Sequence, residues 1–182
     1  MIYELDGGYY VRSLRETDLD GPYQSWFESQ EVCKYNNHGK FFKNANWFRE
    51  FYNQLNREDQ LVWAICHRED GHIGNVSLQS ISFINRNAEY AILIGNPNHW
   101  RKSVGLNASM ALLRHGFDKL NLERIYCGTA GTNIGMRNLA MQMGMFEEGR
   151  RRKHLFLSGR WEDIIEYGLL REDFKDGASL KK

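Results

Sequence analysis

Only two prolines, Pro22 and Pro97, interrupt the 182 residues, so few positions forbid a helix or an inner strand. Cysteine is scarce too: Cys33, Cys66 and Cys127 stand in unrelated contexts. Three thiols without pair spacing argue against a disulfide framework or a zinc site; they suit reduced core thiols in a cytoplasmic, metal-free protein. No apolar run approaches the roughly 18 residues of a membrane-spanning helix. The opening MIYELDGGYY lacks the basic-then-apolar order of a signal peptide. Neither charge sign dominates, with 24 Lys and Arg against 23 Asp and Glu. That balance gives no strong pull toward nucleic acid or an anionic membrane. Repeats, low-complexity segments and linkers are missing as well.

What is present is a packed globular composition, 42% apolar and 13% aromatic. One domain over residues 1–174 is expected, with a polar tail at 175–182. Alternation predicts a strand over Tyr10–Leu14. Thr17 or Asp18 is placed to cap a helix carrying Leu19, Tyr23, Trp26 and Phe27. A second helix follows Asn44 or Asn46, with Trp47, Phe48, Phe51 and Tyr52 at helical spacing; Phe41 and Phe42 read with them as mostly core. Leu61–Cys66 and Ile73–Leu78 form a hairpin through Asp70-Gly71. Strands are predicted over Asn87–Ile94 and Arg124–Thr129, with a helix from Ser103 to Lys119 between them. Asn133 can cap a short helix ending near Gly144. Phe146–Leu157 and Trp161–Leu169 are strands around Ser158-Gly159. The order is α+β, two antiparallel hairpins flanking one strand–helix–strand unit.

That unit holds WRKSVG, Trp100 to Gly105. A strand entering a helix through a tight turn leaves unpaired N–H groups and the positive end of the helix dipole at the turn. An anion can bind there on backbone alone. Arg101 and Lys102 add charge, Ser103 a hydroxyl, and Gly105 close approach to the backbone. Taken alone, the segment suits either a phosphate cradle or an ordinary turn with solvated basic residues.

Ordered context brings a resemblance. With VRSLRETD, HIGNVSL, AEYAILIG, WRKSVG, FDKLNLERIYCGTAGTN, GMFEEG and FLSGRWEDIIEYGLL in that order, the chain resembles the GNAT superfamily of acetyl-CoA-dependent N-acetyltransferases. The chain resembles the branch with ribosomal-protein alanine, spermidine and amino-sugar acetyltransferases, over residues 9 to 174. The resemblance implies a single-domain GNAT-like fold, a mixed V-shaped sheet with helices on both faces. It implies pantetheine against the backbone of Ile92, Leu93 and Ile94. It also implies pyrophosphate on Trp100, Arg101, Lys102, Ser103, Val104 and Gly105, and a cofactor contact at Asn133. The chain departs from the family pattern at Ser103, where a glycine is usual, and at Met136 and Met145. It departs again at Ala140, where a tyrosine commonly protonates the departing thiolate.

Acetyl transfer to an amine needs a proton acceptor and a donor for the thioester oxyanion. Glu89, sharing a strand face with Ala91 and Leu93, is the carboxylate chosen as base; a structural or substrate-positioning carboxylate is the other reading. A backbone N–H between Leu93 and Gly95 would serve the oxyanion. His38, with Tyr35 and Asn36, falls where the family builds its acceptor site, and suits a polyhydroxy ligand or a plain surface loop. Arg150 to Lys153 suit a solvated strand face or a phosphate contact. Cys127 reads as core, and no nucleophilic triad is visible. The expected activity is transfer from acetyl-CoA to a small primary amine or nucleotide-linked amino sugar by a cytoplasmic monomer or homodimer. The alternatives are a protein N-terminus as acceptor and a non-catalytic CoA-binding module.

Overall fold

The structure is a computed structural model that describes residues 2–41, 43–55 and 58–175. Phe42 and all of the predicted tail except Lys175 lie outside them. Eight strands form one sheet in the order β1-β2-β3-β4-β5-β6-β8-β7. They are β1 (Ile2–Glu4), β2 (Tyr9–Ser13), β3 (Leu61–His67), β4 (Gly71–Ser82), β5 (Asn87–Ile94), β6 (Arg124–Ala130), β7 (Phe146–Leu157) and β8 (Arg160–Leu170). The helices are α1 (Tyr23–Trp26), α2 (Ala45–Gln54), α3 (Val104–Asp118) and α4 (Ile134–Gln142). None of the described helices is long and apolar enough to cross a membrane.

Every neighbouring pair is antiparallel except β5 and β6. Those two run parallel, as a strand–helix–strand crossover through α3 requires. Their ladder covers only Asn87↔Arg124, Ala88↔Ile125 and Glu89↔Tyr126. Beyond Glu89 the strands part, β5 staying on β4 and β6 on β8. The expected V therefore opens at Glu89.

Side-chain alternation along β3 assigns the two faces. Trp63 and Ile65 join the larger core beneath α3 and α4, with Val76, Leu112, Phe117 and Ile125. Ala64 and Cys66 join a smaller core beneath α1 and α2, with Leu19, Tyr23, Trp26 and Phe48. Helices thus cover both faces, as anticipated.

The predicted first helix is broken. Glu16–Asp20 is a 3₁₀ turn, Gly21 is extended, and α1 is only four residues. Pro22 lacks an N–H and cannot carry the ladder through. Asp18 does not cap a helix in the expected sense. Its carboxylate accepts 2.7 Å bonds from the Arg15 N–H and from both Arg12 guanidinium nitrogens. Asn44 caps α2, accepting from Trp47 N at 2.9 Å. Phe41, expected in the core, is exposed. β1 was not anticipated: three residues are too few to show a period.

Candidate active site

The gap between β5 and β6 opens into a cleft of about 1280 Å³. Its floor is a polar row made by register. Asn75, Ser77 and Gln79 on β4 stand opposite Leu93, Ala91 and Glu89 on β5. All six line the cleft. The β4 row is visible in GNVSLQS as polar residues alternating with apolar ones, but only strand pairing puts it beside Glu89.

Backbone bonding along β5 also alternates. Gly95 N–H donates to Ile73 O at 2.9 Å. Residues two apart bond to the same neighbour in an antiparallel pair, so Leu93 and Ala91 also turn their backbone toward β4. Ile92 and Ile94 face the gap. Ile94 O is taken by the Trp100 indole N–H at 2.8 Å. Of the Leu93–Gly95 amides expected to serve an oxyanion, two are thus committed to β4 and Ile94 N–H faces the gap. Leu93 offers the cleft its side chain and not its backbone.

The other wall is the start of α3. Ser103 holds the cap position in helical geometry, and no side chain caps the helix. The first-turn N–H groups and the dipole are open to the cleft. Trp100, Arg101, Lys102, Ser103 and Gly105 line it, whereas Val104 turns its side chain into the core. Val104 can contribute only its backbone, which is all that an anion at a helix start requires. Arg101 has φ 59°, a region that favours glycine. A Cβ on Gly105 would meet only Ile92 Cδ1, 4.0 Å away. The space over Gly105 is open rather than filled by protein. Ser109 Oγ donates to Gly105 O at 2.6 Å and lies 2.5 Å from Tyr90 OH, tying the helix start to β5.

Asn133 lines the cleft but caps α4, its Oδ1 accepting from Met136 N at 3.2 Å. Its side-chain amide N–H groups remain for a ligand. Ala140 is wholly buried in the main core. Its position offers the cleft no hydroxyl.

Glu89 lies at the vertex of the V, and its carboxylate accepts no hydrogen bond among the described residues. Across from it, burial chiefly, and Glu89 secondarily, push the Cys127 thiol up to about 12. A thiol held protonated beside Met145 Sδ at 3.6 Å is core, not a nucleophile.

Tyr35, Asn36 and His38 all line the outer end of the cleft. Asn36 Oδ1 accepts from His38 N at 2.9 Å. His38 is exposed by surface area but crowded, edge-on to Phe27 at 5.2 Å and with Lys43 Nζ 3.4 Å from Nδ1. Desolvation, then the Lys43 charge, hold its imidazole below the ordinary value, so it is neutral at pH 7. Lys43 itself sits over Trp47 at 3.8 Å and Phe27 at 4.6 Å. Sequence reasoning missed Lys43, and no local pattern marks it. Lys40 Nζ donates to Phe156 O, joining this segment to the β7–β8 hairpin.

The basic run on β7 stays outside the cleft. Arg150 pairs with Asp163 at 3.5 Å and Arg151 with Glu166 at 3.0 Å. A bulge between Arg151 and Leu155 spoils the simple alternation expected there.

Residues 9–146 match the family model described as "Acetyltransferase (GNAT) domain". Spermidine N(1)-acetyltransferase of Vibrio cholerae is 30% identical over 139 residues, covering 70% of this chain and 80% of that protein. An uncharacterized N-acetyltransferase, p20 of Bacillus licheniformis, is 29% identical, covering 90% and 93%. The putative ribosomal N-acetyltransferase YdaF of Bacillus subtilis is 27% identical, covering 71% and 68%. A crystal structure of the V. cholerae spermidine N-acetyltransferase with CoA and spermine superposes with a TM-score of 0.83, at 24% identity, over 92% of this chain and 98% of that one. That likeness is one of fold. With the family model spanning most of the chain and the V-shaped cleft in place, the protein belongs to the GNAT family and is an N-acetyltransferase.

Proposed function

We propose that the enzyme moves an acetyl group from acetyl-CoA to the primary amine of a small acceptor that is not a polycation, such as a nucleotide-linked amino sugar. The pyrophosphate rests on the open start of α3, with Arg101 and Lys102 adding charge. Pantetheine runs in the gap and bonds to the outward-facing backbone of Ile92, while Asn133 offers its side-chain amide. The acceptor enters from the Tyr35–His38 side. Glu89 takes the amine proton, directly or through one water. The amine then attacks the thioester within the ternary complex, and Ile94 N–H faces the developing oxyanion. With Ala140 buried, solvent supplies the thiolate's proton.

The observation that carries the acceptor class is Lys43. The faces of Trp47 and Phe27 are where a second ammonium of a polyamine would bind best. The protein's own ammonium already covers them. Lys34 adds a further positive charge to the cleft, against the carboxylates Glu31 and Glu89. Such a site suits a monoamine whose remainder is neutral or anionic. The polyamine reading is the second one, favoured by the spermidine acetyltransferases among the relatives.

Thiol release from acetyl-CoA, measured across amino sugars, nucleotide-linked amino sugars, spermidine and a short ribosomal-protein N-terminal peptide, decides between them. The highest kcat/KM is expected for an amino sugar. A spermidine preference would overturn the acceptor assignment, and binding of acetyl-CoA without release for any amine would favour a non-catalytic module.

A further inference from the structure

We propose that His67, Asp70 and His99 form a binding site for a divalent transition-metal ion of the zinc type, at the base of the phosphate loop. The inference does not rest on the acceptor assignment and uses none of the groups given a part in acetyl transfer. Three distant pieces of chain meet there. His67 ends β3, Asp70 lies in the β3–β4 turn, and His99 closes the 3₁₀ turn Pro97–His99 just before Trp100.

The donor set is two imidazoles and a carboxylate, which suits zinc and its first-row neighbours. His67 Nδ1 is 2.8 Å and His99 Nε2 3.2 Å from the same oxygen, Asp70 Oδ2. All three ligand atoms lie within 4.8 Å of one another. Tetrahedral ligands about 2.1 Å from zinc stand about 3.4 Å from one another, so both contacts to Asp70, at 2.8 and 3.2 Å, are near the spacing an ion would set. The Asp70 side chain is half exposed and leaves an approach from solvent.

Two features go beyond proximity. His67 Nδ1 is buried and makes no hydrogen bond, although it lies 2.8 Å from the carboxylate. The contact is close but badly aligned for an N–H donor, and an unpartnered buried nitrogen is costly. An ion between nitrogen and carboxylate would satisfy both. His99 Nδ1 lies 2.8 Å from Tyr9 OH. An Nδ1–H donated to that oxygen leaves Nε2 as the lone-pair nitrogen facing Asp70, the outer support that ligating histidines commonly have. Lys102 opposes a cation there, and Asp70 offsets it.

The test is calorimetric titration of metal-free protein with Zn(II), beside a Co(II) absorption titration. One equivalent is expected, with Co(II) d–d bands and no thiolate charge-transfer band. Tyr9→Phe should weaken Zn(II) binding about 10- to 100-fold, and Asp70→Asn at least as much. Asp70 is on an exposed turn, so that variant keeps its fold, which circular dichroism checks. Absence of binding by the wild type, binding indifferent to Asp70→Asn, or a thiolate band each overturns the assignment. The trio is then a metal-free cluster of two imidazoles around the Asp70 carboxylate.

Discussion

Gly105→Val separates a phosphate cradle from an ordinary turn. On α3 the Cα–Cβ bond tilts toward the helix start, so a side chain at 105 projects back over the Trp100–Ser103 loop. The Cβ itself meets only Ile92 Cδ1 at 4.0 Å. The γ-methyls therefore enter the cleft rather than the core, and folding loses nothing. Gly is the poorer helix former, and valine in its place is worth a few tenths of a kcal/mol. Cofactor binding should respond differently. A bond between a backbone N–H and a charged phosphate contributes about 1.5–3 kcal/mol. Excluding one such bond raises the Kd for acetyl-CoA about 10- to 150-fold. Acetyl-pantetheine, which has no pyrophosphate, should bind both proteins alike. Calorimetry with the two ligands, beside a thermal melt, gives the answer. An unchanged acetyl-CoA Kd in a folded Gly105→Val protein would refute the placement of the pyrophosphate. A loss shared equally by acetyl-pantetheine would show that the methyls block the arm instead.

Three other substitutions probe the remaining parts. Glu89→Gln should lower kcat about 10²- to 10⁴-fold with the acetyl-CoA Kd unchanged; retained turnover takes Glu89 out of the base role. Gly95→Ala would set a Cβ 1.9 Å from Trp26 Cδ2. A urea titration should show a loss of about 1–3 kcal/mol or more, with acetyl-CoA binding weakened as the end of β5 shifts. Asp18→Asn leaves the Arg12 guanidinium, 10% exposed, without its carboxylate, and should cost about 3–5 kcal/mol in the same titration. Burial works to raise the Asp18 pKa, but the Arg12 and Arg15 hydrogen bonds outweigh it and hold the carboxyl below its ordinary value. The stability it contributes is therefore complete above the unfolded value of about 3.9. It is lost as pH falls through the depressed folded value, so the wild-type advantage over the Asp18→Asn variant should shrink below about pH 4. An advantage that persists in strong acid would count against the ion pair.

β5, α3 and β6 were legible to within a residue because each carries a long, regular period between clear turn signals. The break at Gly21-Pro22 was masked by Leu19, Tyr23, Trp26 and Phe27, which hold helical spacing across it. Phe41 was misjudged because spacing does not tell a buried ring from one on a loop. Of the residues that line the cleft, those of WRKSVG and Glu89 could be picked out locally, the first by turn chemistry and the other by its place on a strand. Asn75, Ser77 and Gln79 needed a pairing register. Lys43 needed a fold that brings it onto Phe27, sixteen positions earlier. The His67–Asp70–His99 cluster joins segments some thirty residues apart, and no spacing in the sequence announces it.

The two walls of the cleft stand on different foundations. α3 and α4, which flank the proposed cofactor half, are rooted in the larger core; α1 and α2, beside the proposed acceptor half, rest on the smaller one. Residues 34–41 add almost nothing to either and are half-buried or exposed. Such a segment can exchange side chains at little cost to folding. Acceptor choice can therefore drift in evolution, or be reprogrammed by loop exchange, while the cofactor half is inherited intact. Relatives with one fold and different acceptors are what that division of labour would produce.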